Sequence, residues 1–152
     1  INSDYAYNQG PFISPAMFRE FFKPEYTRLL DIAHGYGMKV FLHSCGSIRE
    51  LLPDLIDIGV DIINPVQVSA AGMDTGALKR DFGADLVFWG GAVDSQRTLG
   101  RGTPAEVEAE ARRRIGDLSP GGGFVFASVH NLQANVPPEN IVALWRAAGG
   151  IA

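Results

Sequence analysis

The chain has 152 residues, 46% of them hydrophobic and 20% charged, a composition that suits one globular domain with a sizeable core. Its net charge of −4 gives no support for nucleic-acid binding, no apolar stretch is long enough to span a bilayer, and the first residues carry no signal-peptide pattern. A single cysteine excludes an internal disulfide and leads to the expectation of a reducing, cytoplasmic location.

Residues 1–4 read as a strand stub, and an opening Ile1 in place of methionine leads to the expectation of a longer parent protein. Ser14-Pro15 supplies an N-cap and a first-turn proline ahead of Met17, Phe18, Phe21 and Phe22, read as core or interface residues. Pro24 is expected to kink or split that helix before Tyr26, Leu29 and Leu30, and His34 near the helix end reads as structural or dipole-compensating. Near-continuous apolar runs at 38–42, 60–64, 86–90 and 123–127 predict strands buried on both faces, as in a parallel sheet. Between them, Ser47 with Glu50 predicts a capping box before Leu51, Leu52, Leu55 and Ile56, with Gly59 ending the helix. Thr103 with Glu106 repeats the device before Val107, Ala111 and Ile115, and Arg112-Arg113-Arg114 on that helix reads as a solvated face. Pro137-Pro138 opens the last helix, with Ile141, Leu144, Trp145 and Ala148 on one stripe.

Strands alternating with helices predict an α/β fold of right-handed βα units, and four units amount to about half of a TIM (β/α)8 barrel. The whole span 1–152 is read as one partial barrel domain. A half-barrel leaves parallel edges unpaired, so the expected partners include the missing half-barrel or a homo-oligomer. In such folds chemistry gathers at the C-terminal ends of the strands. There the sequence places Asp4; His43 and Cys45; Asn64 and Gln67; Gly90-Gly91 with Asp94; and His130, Asn131 and Gln133. The opposite turns carry mainly glycine. Gly90-Gly91 and Gly121-Gly122-Gly123 lack the spacing of a phosphate loop.

The sharpest motif is His43-Ser44-Cys45-Gly46. Side chains at i and i+2 of an extended segment point the same way, so the imidazole and the only thiol converge on one ion or substrate. A metal wants three or four ligands and this motif supplies two. His43 read alone is equally a hydrogen-bond donor or a general acid–base group, and Cys45 read alone is equally a small buried hydrophobe. Asp94 is read either as a partner of a ligating histidine or as a loop cap.

The runs Gly10-Pro11-Phe12-Ile13-Ser14-Pro15, Phe21-Phe22-Lys23-Pro24, His43-Ser44-Cys45-Gly46, Asn64-Pro65-Val66-Gln67, Phe88-Trp89-Gly90-Gly91 and Val136-Pro137-Pro138-Glu139-Asn140-Ile141 resemble the C-terminal half of the barrel of the uroporphyrinogen decarboxylase superfamily. The His-x-Cys-Gly signature resembles its cobalamin-dependent methyltransferase branch, in which it supplies two zinc ligands and a later cysteine the third. That resemblance implies zinc at His43 and Cys45, a corrinoid as methyl donor, a thiol or similar acceptor, and possible company from a corrinoid protein. No cysteine stands near Ala127-Ser128-Val129-His130, where the branch has its third, so His130 is the replacement ligand to expect, with Asp94 or a water completing the set. Catalytic roles are accordingly expected of His43, His130 and Asp94, and contacts to a small-molecule or tetrapyrrole substrate of Asn64, Gln67 and Asn131. The true decarboxylases have a histidine near the position of His130, which implies tetrapyrrole decarboxylation, a lyase reaction without cofactor, as the alternative activity. Their carboxylate-binding arginine and catalytic aspartate belong to the other half of the barrel. A fragment inactive without its partner half is the third expectation.

Overall fold

The computed structural model describes residues 1–149, so the last three residues of the expected 1–152 domain lie outside the described residues. In chain order the elements are β1 (Ala6–Tyr7), β2 (Gly10–Pro11), α1 (Pro15–Met17), α2 (Lys23–Gly35), β3 (Phe41–His43), α3 (Leu52–Asp57), β4 (Ile62–Asn64), α4 (Thr75–Phe82), β5 (Val87–Trp89), α5 (Thr98–Arg101), α6 (Pro104–Leu118), β6 (Phe124–Val125) and α7 (Pro138–Ala147). Strands β3, β4, β5 and β6 form one parallel sheet in that order, and β1 and β2 form a separate antiparallel hairpin. The expected stub at 1–4 is present: Asn2 bridges His43 in the parallel sense, His43 N–H donates to Ile1 O at 2.8 Å, and Ser3 N–H donates to His43 O at 3.1 Å. Five parallel positions flanked by helices are the alternation that the strand and helix periods predicted.

The strands are not buried on both faces. Leu42, Ile63 and Phe88 are fully buried and pack with Leu30, Leu55, Leu78 and Leu118 from the helices. Their neighbours Phe41, His43, Ile62, Asn64 and Val87 are half-buried, and Trp89 is exposed. That second face is the inner wall of a partial barrel, where Phe41 meets the Trp89 ring edge-on at 5.3 Å between centroids. The apolar runs look continuous because an inner barrel wall is also apolar, which hides the alternation. Strand β3 also begins later than expected, since Met38 N–H still closes the end of α2 by donating to Ala33 O.

Among the described residues, side-chain caps open three of the helices, α1, α4 and α6. Ser14 Oγ accepts from Met17 N–H at 3.2 Å, and Thr103 with Glu106 forms the expected reciprocal capping box. The break expected at Pro24 takes the form of a π-helical turn, Phe18–Phe22, in which Lys23 N–H reaches back to Phe18 O. The proline has no N–H to give, and the widened turn before it absorbs the mismatch. Asp54, buried in α3, clamps this segment by accepting from Arg19 and Lys23 at 2.8–3.0 Å.

Other expectations are corrected. Ser47 does not cap: it is buried and donates to Ala71 O at 2.6 Å, and the chain enters α3 through a 3-10 turn, Arg49–Leu51. Of the apolar residues around the π turn, read as core or interface, only Phe18 joins the core, while Met17, Phe21 and Phe22 are exposed, which overturns the core alternative alone for those three. On α7 the buried face is Asn140, Ala143, Leu144 and Ala147, not the stripe through Ile141 and Trp145. Small alanines let α7 settle closely on Val107 and Ala111 of α6, and Asn140 donates to the carbonyls of Leu99 and Gly102 at 2.9 and 2.8 Å. Arg114 leaves its two arginine neighbours in solvent and turns inward, donating to Thr75 Oγ1 at 3.1 Å and Glu110 at 3.0 Å. Helix α4, which no periodic run announced, begins at Asp74, whose carboxylate accepts from Ala77 N–H at 2.9 Å. Among the described residues no helix is long and apolar enough to cross a membrane.

Candidate metal centre

The site begins with alternation at the end of β3. Ser44 is buried toward the core side, where its Oγ accepts from Tyr5 N–H at 3.0 Å and its own N–H donates to Asn64 O at 2.8 Å. Its neighbours His43 and Cys45 therefore share the opposite side, with Cys45 Sγ 3.7 Å from His43 Nε2. The sequence spacing anticipates this pairing. It does not single out Asp4 as a third donor. Because the stub lies beside β3, Asp4 follows its strand at the same level as Cys45, and its Oδ1 accepts from Cys45 N–H at 2.8 Å. One ligand atom from each of Asp4, His43 and Cys45 lies within 4.8 Å of the others, the cluster of this kind among the described residues.

Asn64 at the end of β4 and Gln67 just beyond it brace this loop. Asn64 Oδ1 lies 2.6 Å from His43 Nδ1, and Asn64 Nδ2 donates to Trp89 O at 3.2 Å. Gln67, which is buried, accepts from Gly46 N–H at 2.7 Å and donates to Asn8 Oδ1 at 2.6 Å. Gly46 has φ +88°, and a Cβ there would stand 2.6 Å from Ala6 O, so the loop passes under the hairpin only with glycine in that position. Asn64 and Gln67, expected at the substrate, each turn their amide oxygen to the motif and their amide nitrogen to a neighbouring segment.

Burial first, and then the Asp4 carboxylate, push the Cys45 thiol above its ordinary range. A neighbouring cation inverts that balance, and a coordinating thiol is deprotonated outright. Nitrogen, sulfur and carboxylate oxygen are the donors that zinc takes, and with the thiolate and Asp4 ionised their charges sum to that of a divalent ion in magnitude.

His130 is exposed and faces the cluster across open space. It lines a cavity of about 370 Å³ together with Cys45, Gly46, Gln67 and Asn131, and an adjoining one of about 400 Å³ together with His43 and Asn64. It does not join the group of donor atoms around His43. Asn131, beside it, accepts from Gln133 Nε2 at 3.2 Å. Asp94 is buried elsewhere and caps a turn, accepting from Gln96 N–H at 2.8 Å and Arg97 N–H at 3.2 Å. His34 lies at the opposite end of the sheet, where its Nε2 and Asp61 Oδ2 are 3.0 Å apart.

A partial (β/α) barrel with its polar cluster at the C-terminal ends of the strands defines the class of protein. The chain belongs to the uroporphyrinogen decarboxylase (URO-D) family, whose model matches residues 5–150. It is similar in structure to a methyltransferase from Methanosarcina mazei, with a TM-score of 0.74 and 25% sequence identity over 98% of this chain. The chain spans 40% of the length of that methyltransferase. No curated protein sequence matches it.

Proposed function

We propose that this chain forms part of an enzyme that transfers a methyl group from a corrinoid to a thiol or similar acceptor, with zinc held by Asp4, His43 and Cys45. The observation that carries the reading is the convergence of three donors zinc accepts at the active end of a barrel whose structural relative is a methyltransferase. Zinc bound there would bring an acceptor thiol to its nucleophilic thiolate at neutral pH. The chain's own residues do the rest. Gln67 and Gly46 fix the loop, Asp4 ties the backbone of Cys45 to the N-terminal stub, and Ser44 anchors the turn in the core. His130 and Asn131 line cavities beside the cluster, and in this reading they would meet the acceptor rather than the ion. Phe41 and Trp89 offer an apolar inner wall that the rest of the barrel, or a second copy, would cover. The corrinoid, delivered free or on a carrier protein, would reach the cluster from the open end of the strands. A cytoplasmic setting, which keeps the thiol reduced, belongs to the same reading.

Zinc content of the purified protein is the test, alongside a Cys45→Ala control. One zinc per chain, lost in the variant, agrees with the reading; no zinc, or equal zinc in both, sinks it. Thiol methylation with methylcobalamin as donor then separates methyl transfer from mere metal binding.

A further inference from the structure

The register of the sheet sets His43 directly opposite Asn64, and the two side chains share the inner face. Asn64 Nδ2 donates to the Trp89 carbonyl at 3.2 Å. A carbonyl only accepts, so the atom facing it is the amide nitrogen, and the amide oxygen is turned toward β3. That oxygen stands 2.6 Å from His43 Nδ1. An amide oxygen also only accepts, so Nδ1 carries the proton. In a neutral imidazole the other nitrogen is then bare. That other nitrogen, Nε2, is the one facing Cys45 Sγ at 3.7 Å.

We infer that Asn64 is a positioning residue which, held by the Trp89 carbonyl, locks His43 in its Nδ1–H tautomer and aims a free Nε2 lone pair at the cluster of Asp4 and Cys45. The metal part of this inference rests on the zinc reading above; the tautomer does not. An amide suits the task for a further reason. The partners of ligating histidines are carboxylates, backbone carbonyls or waters, and a carboxylate would add a third negative charge beside Asp4 and the Cys45 thiolate. Asn64 orients the ring without adding one, so the charge of the set still balances a divalent ion.

Nitrogen-15 NMR of histidine-labelled protein at about pH 8, where an ordinary imidazole is neutral, reads the tautomer directly. The chain has three histidines, and loss of one signal in His43→Gln assigns it. The wild type should show the Nδ1–H pattern at His43. Asn64→Leu should lose it, and Asn64→Asp, which keeps the acceptor, should retain it. Zinc affinity measured by chelator competition should fall roughly 10–100-fold in Asn64→Leu and recover in large part in Asn64→Asp. An Nε2–H pattern in the wild type overturns the inference, and so does an Asn64→Leu variant with unchanged tautomer and zinc affinity. If Asn64→Leu is not folded by circular dichroism, the aspartate variant decides: Nδ1–H supports the inference and Nε2–H overturns it. A wild type that shows Nδ1–H yet binds no zinc defeats the proposed function and leaves the tautomer assignment standing.

Discussion

Asp4 Oδ1 accepts the backbone N–H of Cys45 at 2.8 Å while its carboxylate stands beside the Cys45 thiol and the His43 ring. One exposed aspartate just after the N-terminal stub thus both shapes the loop and supplies a donor. Replacing it should separate the two roles. Asp4→Asn keeps a hydrogen-bond acceptor but removes the charge, and we expect zinc affinity to drop at least about tenfold with little change in melting temperature. Asp4→Ala should lose affinity further. Isothermal titration and thermal denaturation of both variants check this, and unchanged zinc binding would remove Asp4 from the ligand set.

Gly46 carries a backbone constraint independent of any metal. A side chain there faces both the cost of the left-handed region, about 1–2 kcal/mol, and collision with the carbonyl of Ala6, about 1–3 kcal/mol more. Gly46→Ala should therefore destabilise the fold by about 3 kcal/mol in urea unfolding. Because backbone rather than a flexible side chain blocks the space, a loss below about 1 kcal/mol would show that the hairpin can move aside.

At the far end of the sheet, Asp61 supports a pH prediction. Burial raises its carboxyl, but hydrogen bonds from Lys39 at 2.7 Å, Val40 N–H at 2.8 Å and His34 outweigh that and hold it down at about 2. A carboxyl lower in the folded chain than its ordinary 3.8 stabilises the fold above that value, and the contribution vanishes as pH falls through 2. The depression corresponds to about 2 kcal/mol. Wild-type stability should fall between about pH 4 and pH 2 more steeply than that of Asp61→Asn, which should start lower at pH 7. Parallel curves for the two proteins would refute the assignment.

The reciprocal cap at α6 offers a smaller effect away from the site. Glu106 accepts from Thr103 N–H at 2.7 Å while Thr103 Oγ1 accepts from Glu106 N–H at 3.3 Å. Thr103→Ala should cost about 1 kcal/mol, roughly 3 °C in melting temperature, without changing zinc content. Scanning calorimetry with zinc analysis on the same sample tests both halves of that statement.

Where reading along the chain succeeded, the interaction was local. The caps at Ser14 and Thr103, the turn at Gly59 and the convergence of His43 with Cys45 all lie within a few residues, and short-range geometry decides them. The alternation of strands and helices was equally legible, because period and length carry it. Where reading fell short, a distant segment competed for the same group. Ser47 looks like a cap until Ala71 O takes its hydroxyl, and α7 shows a plausible stripe until α6 selects the alanine face instead.

The candidate centre divides along the same line. By itself the sequence pointed to an imidazole and a thiol leaving the end of one strand on one side, because extended backbone has a two-residue period. Only the tertiary structure decided what joins them. Asp4 lies 41 residues from Cys45 and Asn64 lies 21 from His43, and parallel strand pairing sets both beside the motif. Parallel pairing joins segments separated by long crossovers, and no local propensity encodes their register.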